Sequence, residues 1–437
     1  MLLLSVQHLR RTRSRLPPGP TPLPILGNLF DIPKSLSWLT YAKWADLYGP
    51  LVFVSAMGTN ILIPNSYPKA IELLDKKSTI YSSRKLLTMP VKILGWGKTM
   101  GWLEYGPRFR AYRKILQGEL GTMNAVQKYA GYLESHAVRF INLCLEDEAS
   151  QNVFDCCSQY SGASVLRIAY GYQVRGHDDE FIKLATEMMD AFSHAANPNK
   201  FMVNHFPIQW MPGAGFKKIA RQWKPLHDMS VDLPFQYVKR QMASGTAEKS
   251  FTASWLEQNI LGLVSPEDED IFKYAVGPLY GGMYCASWLE QNILGLVSPE
   301  DEDIFKYAVG ALYGDGSETM AATIYAFFQL MCLYPYAQEQ AQTEMDRILG
   351  LSQEGSGGSV SRLPTLKDRP NLPYLEALTK EIMRFHVIAP CGLPHSSTQD
   401  DVHDGYFIPR NTVVVPNICT TPCGNLKDGV SRPDCLS

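Results

Sequence analysis

The sequence predicts a mainly α-helical fold with a small β-sheet subdomain. Three observations carry this expectation. Residues 303–334 form one long, mostly apolar stretch with helical start and stop signals. Amphipathic segments at helical spacing fill most of the remaining chain. Strand-like runs are confined to two short regions, 51–64 and 405–418.

The composition, 45% hydrophobic and 19% charged over 437 residues, is that of a globular chain with ample core. The length suits two or three average domains or one large one. A net charge of −2 gives no reason to expect a nucleic-acid partner. The nine cysteines have no regular spacing: Cys156 and Cys157 are adjacent, while Cys144, Cys285, Cys332 and Cys391 stand singly among apolar residues. That pattern predicts reduced, buried thiols rather than a disulfide framework.

Residues 1–15 read as a shortened basic segment. Six residues precede Gln7, whereas a membrane-spanning helix needs about 20. Arg10, Arg11, Arg13 and Arg15 follow as a cytoplasmic cluster would, so the segment is either the remnant of an anchor or a disordered basic tail. Pro17-Pro18-Gly19-Pro20 is a stiff connector.

Residues 36–48 are amphipathic, and Gly49-Pro50 ends them. LVFVSAM and NILIPN form a hairpin around Gly58-Thr59, and 66–77 is the next helix. Residues 80–103 are irregular and dotted with glycine, which predicts a long loop. Gly106-Pro107 opens a basic helix, RFRAYRKILQGEL. Helices follow over 124–147, 151–172, 179–194 and 216–245. The aromatic, proline-rich connection between the last two either packs into the core or touches a membrane.

The segment ASWLEQNILGLVSPEDEDIFKYAVG occurs at 253–277 and again, identically, at 286–310. A 33-residue offset is an ankyrin-like period, but two perfect copies point to a recent duplication or a gene-model error. Only the second copy runs on into GDGSETM. The first, 253–285, is expected to be an extra helical insert looped outward.

Ser298-Pro299-Glu300-Asp301 starts the long helix and Pro335 stops it. Its length is roughly 45 Å at about 1.5 Å per residue. Gly310, Gly314 and Gly316 interrupt it beside Ser317-Glu318-Thr319. Each glycine costs about 1 kcal/mol against alanine. Either something large lies against the backbone there, or another helix packs closely. After a polar-faced helix from Pro335 and a flexible linker at 352–362, residues 371–386 form a strong amphipathic helix. It carries Glu381 and Arg384 at i,i+3, an ion-pair spacing that means little alone. Pro390, Gly392 and Pro394 break it. Residues 405–418 alternate into strands with a turn at Arg410-Asn411.

Five features then stand in order: Pro17-Pro18-Gly19-Pro20, Phe109-x-x-x-Arg113, Gly316-Ser317-Glu318-Thr319, Glu381-x-x-Arg384, and Pro394-His395 with the GYFIP strand. In this order, over residues 16–418, the chain resembles the cytochrome P450 family of haem-thiolate monooxygenases, the fungal members most. The family's Ala/Gly-Gly-x-Asp/Glu-Thr signature is matched by Asp315-Gly316-Ser317-Glu318-Thr319, and its Glu-x-x-Arg by Glu381 and Arg384. Its Trp-x-x-x-Arg is matched with Phe109 in place of Trp and Arg113 retained.

The resemblance implies a cytochrome P450-like fold, a haem cofactor, and insertion of one oxygen atom of O2 into a small apolar substrate. It further implies an NADPH-dependent reductase as partner, a role in secondary metabolism and an endoplasmic reticulum membrane location with peripheral membrane contact. The shortened N-terminal segment leaves a cytoplasmic location open. By the same resemblance Gly316 gives room at the haem face, Thr319 hydrogen-bonds the dioxygen and Glu318 relays protons. Arg113 and His395 are expected on the haem propionates, and Phe109 packs without the indole donor. Glu381 and Arg384 are expected to be a buried, networked structural pair, and 80–103 with 387–393 to line the substrate pocket.

The family's Phe-x-x-Gly-x-Arg-x-Cys-x-Gly loop has no match. Residues 419–437 are polar and outside the pattern, and Cys419, Cys423 and Cys435 match none of it. No metal ligand is therefore assigned. A second reading follows from this: a truncated, non-catalytic member that lacks the axial cysteine and does not hold haem stably.

Overall fold

The computed structural model describes residues 16–33, 35–85, 87–146, 153–176, 179–197, 200–204, 215–263, 298–350 and 362–420. The expectations for 1–15, for most of the repeat, for nearly all of the 352–362 linker and for the tail beyond 420 lie outside these residues.

The long apolar stretch becomes the axis of the molecule. Helix α11 (Pro299–Leu333) is capped as its sequence predicts: Ser298 Oγ accepts the Asp301 N–H at 3.0 Å, with Pro299 and three acids in the first turn. Helix α12 (Pro335–Leu349) starts directly after its end and closes on Gly350 at φ 77°.

Helix α7 (Val153–Tyr170) runs antiparallel along α11. Its end, Val165, Leu166 and Ala169, meets Phe305 and Val309, and its start, Cys156 and Cys157, meets Ala321. Helices α9 (Phe216–Ala243) and α10 (Phe251–Leu263) complete this core with Phe235, Val238, Phe251 and Leu256. Burying each such Phe or Leu side chain contributes about 1.5–3 kcal/mol. Helix α8 (Glu180–Ala196) is started by Asp179, whose Oδ1 accepts the Phe181 N–H at 3.0 Å.

Helix α10 corrects one expectation. The described part of the first repeat copy does not loop outward. Ala253 and Leu256 are buried, and the Trp255 ring stacks on Phe305 of the second copy at 4.0 Å. Thr252 Oγ1 donates to the Ala169 carbonyl at 2.8 Å. The apolar face of this segment finds its core in α7 and α11, which a repeat reading of the sequence does not consider.

A five-stranded sheet lies at the other side of the chain order: β1 (Leu51–Ala56), β2 (Thr59–Pro64), β3 (Ser83–Arg84), β4 (His395–Ser396) and β7 (Val413–Val414), arranged β1-β2-β7-β4-β3. The predicted hairpin pairs β1 with β2 across Met57-Gly58, both at positive φ. Strands β5 (Asp401–His403) and β6 (Tyr406–Ile408) form a second hairpin across Asp404-Gly405. Helix α1 (Ser37–Tyr48) covers β1 with Tyr41 and Trp44.

Residues 80–103 differ from the expected loop. Short helical turns over 88–93, 96–98 and 100–102 bury Met89, Val91, Leu94, Trp96 and Trp102 against Met188 and Ala195 of α8 and Ala220 of α9. Trp96 lies 4.1 Å from Phe192 and 5.0 Å from His227, centroid to centroid. The apolar residues have no regular period because the segment changes its winding three times. Of the thiols, Cys156 and Cys157 are buried as expected, whereas Cys332 is exposed near the end of α11.

Candidate active site

Helix α11 is covered along both flanks and open in its middle. Phe305, Tyr307, Ala308, Val309 and Ala311 are buried on one side, and Ala321, Ala326, Leu330 and Met331 on the other. Between them Gly316 and Ser317 are half-buried, and Glu318 and Thr319 are exposed. Helix α4 (Pro107–Leu120) seats Tyr112 on Ile304, Tyr307 and Ala308. Helix α13 (Pro373–Phe385) seats Leu378 and Ile382 on Ala326, Leu330 and Met331. Three sequence motifs are thus brought onto one helix, with the Gly316–Thr319 turn between the two seats. Thr319 Oγ1 donates back to the Gly316 carbonyl at 3.4 Å, a long and weak bond that is readily exchanged.

Of the other glycines of α11, one answers to packing. A Cβ on Gly310 would lie 3.0 Å from Val231 Cγ2 of α9, and one on Gly314 would lie 3.7 Å from Met188 Cε of α8. Close helix contact explains Gly310, whereas Gly314 has room for a Cβ at ordinary contact distance.

On α4, Tyr112 is fully buried and its hydroxyl is pushed up to about 12 by burial. It donates to the Lys98 carbonyl at 2.8 Å and accepts from Arg108. Arg108 and Lys98 both reach Asp303 at the start of α11, at 2.8 and 3.1 Å. Burial pushes the Asp303 carboxyl up, and these two cations pull it net below the usual carboxylate range. This clamp has no sequence signature, since its members lie on three separate elements. It fixes the roll of α4 and leaves Arg113 on an exposed face. Phe109 sits beside Tyr105 at 5.7 Å.

His395 is in strand β4, directly opposite Arg84 of β3. Residues so paired present side chains to one face. Nδ1 of His395 is buried with no hydrogen-bond partner. Burial first, and the Arg84 charge second, push its pKa down to about 4. Arg84 donates to the Leu393 and Pro394 carbonyls at 2.7 and 3.2 Å. Sequence reasoning found His395 and missed Arg84, because a lone basic residue in an irregular stretch gives no signal of its cross-strand partner.

Glu381 and Arg384 do form the ion pair, at 2.5 and 2.7 Å, and Arg384 holds Glu381 below the usual carboxylate range. The expectation of burial is corrected: the two side chains are 54% and 35% exposed. They flank the face of α13 that Leu378 and Ile382 bury on α11.

These residues suit the carboxylates and face of a haem, while no ligand to its iron is assigned among the described residues. A buried imidazole nitrogen and a cation share one sheet face, a second cation is exposed on α4, and the central helix opens at a glycine beside an acid and an alcohol. That set suits an anionic, flat, largely apolar group. Burial pushes the Cys391 thiol up to about 11.

Comparison with known proteins gives the same answer. The family model described as cytochrome P450 matches residues 17–282 and 290–422. Cytochrome P450 monooxygenase 208 of Postia placenta is 34% identical over 96% of this chain and 73% of its own length. Cytochrome P450 monooxygenase claR of Ampulloclitocybe clavipes is 36% identical over 93% and 68%, and ppsD of Aspergillus oryzae 33% identical over 94% and 70%. Of the two readings drawn from the sequence, these relatives support the monooxygenase. With a mainly helical fold, haem as its cofactor, an organic substrate and a redox partner reductase, the chain belongs to the cytochrome P450 family of haem-dependent monooxygenases.

Proposed function

We propose that residues 16–418 form one catalytic domain that oxidises a small apolar substrate at a haem lying against the Gly316–Thr319 turn. The open middle of α11, between the seats of α4 and α13, carries this reading. Bound haem supplies the dioxygen chemistry; the chain supplies orientation and protons. Gly316 keeps the helix surface low at that point. The Thr319 hydroxyl, held only by its weak bond to the Gly316 carbonyl, would be the proton donor on the side of the reacting oxygen. Glu318, exposed on the adjacent position, delivers protons from solvent to that hydroxyl.

Arg113, Arg84 and the His395 Nδ1 would hold the haem carboxylates, and Phe109 would pack against the group without a donor of its own. Glu381 and Arg384 remain structural. The buried turns over 80–103 and residues 387–393 line the substrate side. An NADPH-dependent reductase supplies electrons.

Attachment to the endoplasmic reticulum surface fits the apolar residues near the start of the described chain: Leu23, Ile25 and Phe30 are 51%, 96% and 75% exposed. No described helix is long and apolar enough to cross a membrane, so contact through these residues is peripheral. A role in secondary metabolism is part of the same reading.

The test is the coupling of reductant to product in Thr319→Ala and Glu318→Gln, assayed with reductase and NADPH. Product per NADPH should fall about tenfold or more, the low end of what proton transfer contributes or below it, while NADPH consumption continues and hydrogen peroxide appears. Wild-type yields in both variants would remove these two residues from the proton path.

A further inference from the structure

A second group of residues, on helix α2 (Tyr67–Ile71, wound more loosely through Glu72–Lys76) and the β5–β6 turn, has no part in the monooxygenase reading. Glu72 Oε2 lies 3.3 Å from His403 Nε2, and Asp404 Oδ2 lies 3.8 Å from the same nitrogen. Ligand atoms of the three residues are all within 4.8 Å of one another. Two facts set this group apart from an ordinary acidic surface. His403 is only 7% exposed, and its Nε2 is buried without a hydrogen-bond partner although it faces both carboxylates. A cation already sits between those carboxylates: Lys69 Nζ is 2.7 Å from Glu72 Oε2 and 2.8 Å from Asp404 Oδ2.

We propose that Glu72, His403 and Asp404 form a binding site for one divalent transition-metal ion of the Zn2+ class, in which the ion displaces the Lys69 ammonium. The spacing supports it. Ligands at about 2.0–2.1 Å from a tetrahedral ion stand about 3.3 Å apart, close to the distances from His403 Nε2. One imidazole and two carboxylates form a borderline ligand set that suits Zn2+, with water in the remaining position. Lys69 keeps its proton and swings into solvent, so only coordinate bonds form.

The geometry is held from outside the site. Asp404 and Gly405 form the tight turn, at φ 52° and 79°, and Lys77 and Tyr81 hold Asp401 of the same hairpin at 2.7 and 2.9 Å. The charged groups facing His403 are Glu72 and Asp404, which favour a cation, and Lys69 and Lys77, which oppose one.

The experiment is calorimetric titration of the full, haem-reconstituted chain with Zn2+ after dialysis against chelator, in wild type, His403→Phe, Asp404→Asn and Lys69→Met. Circular dichroism and melting curves check the fold of each variant. Thiol binding is common to all four and cancels in the comparison. One binding event should vanish in His403→Phe, weaken in Asp404→Asn, and tighten about two- to fivefold in Lys69→Met, the scale for removing a competing surface ion pair. Zn2+ isotherms that coincide for wild type and folded His403→Phe, or no tightening in Lys69→Met, would overturn the proposal.

Discussion

Arg84 and His395 face each other across the β3–β4 pair, a guanidinium beside an imidazole whose Nδ1 has no partner. A carboxylate bound to this sheet face would offset the two basic groups. The imidazole is held neutral, with a pKa of about 4 against 6.5 when free. The unfolded chain therefore takes up this proton first. Stability from this site is full above about pH 6.5 and is lost as pH falls toward 4. Allowing for solvent screening of a partly open group, the loss is on the order of 2 kcal/mol. Urea denaturation of the haem-free chain at pH 4.5 and 7.5 should show it, and His395→Gln should flatten it. Haem should shrink it too, since a carboxylate on Nδ1 favours the charged ring.

On α4 the expectation concerns affinity. In the proposed role Arg113 gives haem a charge-assisted hydrogen bond, worth about 1.5–3 kcal/mol, so Arg113→Ala should weaken haem binding about tenfold or more. Phe109→Trp adds an indole N–H and should tighten it by about 1 kcal/mol. Soret titration of the haem-free protein measures both. Unchanged affinity in Arg113→Ala would place the propionate elsewhere.

Gly310 and Gly314 of α11 should respond differently to added bulk. Gly314→Ala meets Met188 at an ordinary contact distance and should gain up to about 1 kcal/mol of helix propensity. Gly310→Leu drives into Val231 and should cost about 1–3 kcal/mol of overpacking, part of which Val231→Ala returns. Thermal melts of the three variants decide this. Haem content should not follow either change.

What the sequence disclosed tracks how local the chemistry is. The α11 cap at Ser298 and Pro299 was legible because a cap is made within four residues. The β1–β2 hairpin was legible for the same reason. Arg84 opposite His395, and Lys98 and Arg108 on Asp303, were not, because each pairing joins residues distant in the chain. Glu381 and Arg384 were found by spacing, but spacing does not report burial. The glycines of α11 misled in part: a glycine records that something is close, and at Gly310 the close object is another helix. The His403 group was invisible because Glu72 and His403 come from opposite ends of the sequence.

The stacking of Trp255 on Phe305 has a further consequence: the two copies of the repeat are tied to each other. Trp255 belongs to the first copy and Phe305 to the second. Phe251 and Thr252, just ahead of the first copy, add a buried ring and the bond to the Ala169 carbonyl. Leu256→Asp should therefore loosen both copies at once, at no less than the cost of a lost core leucine, about 2–5 kcal/mol, and urea denaturation of the variant would measure it.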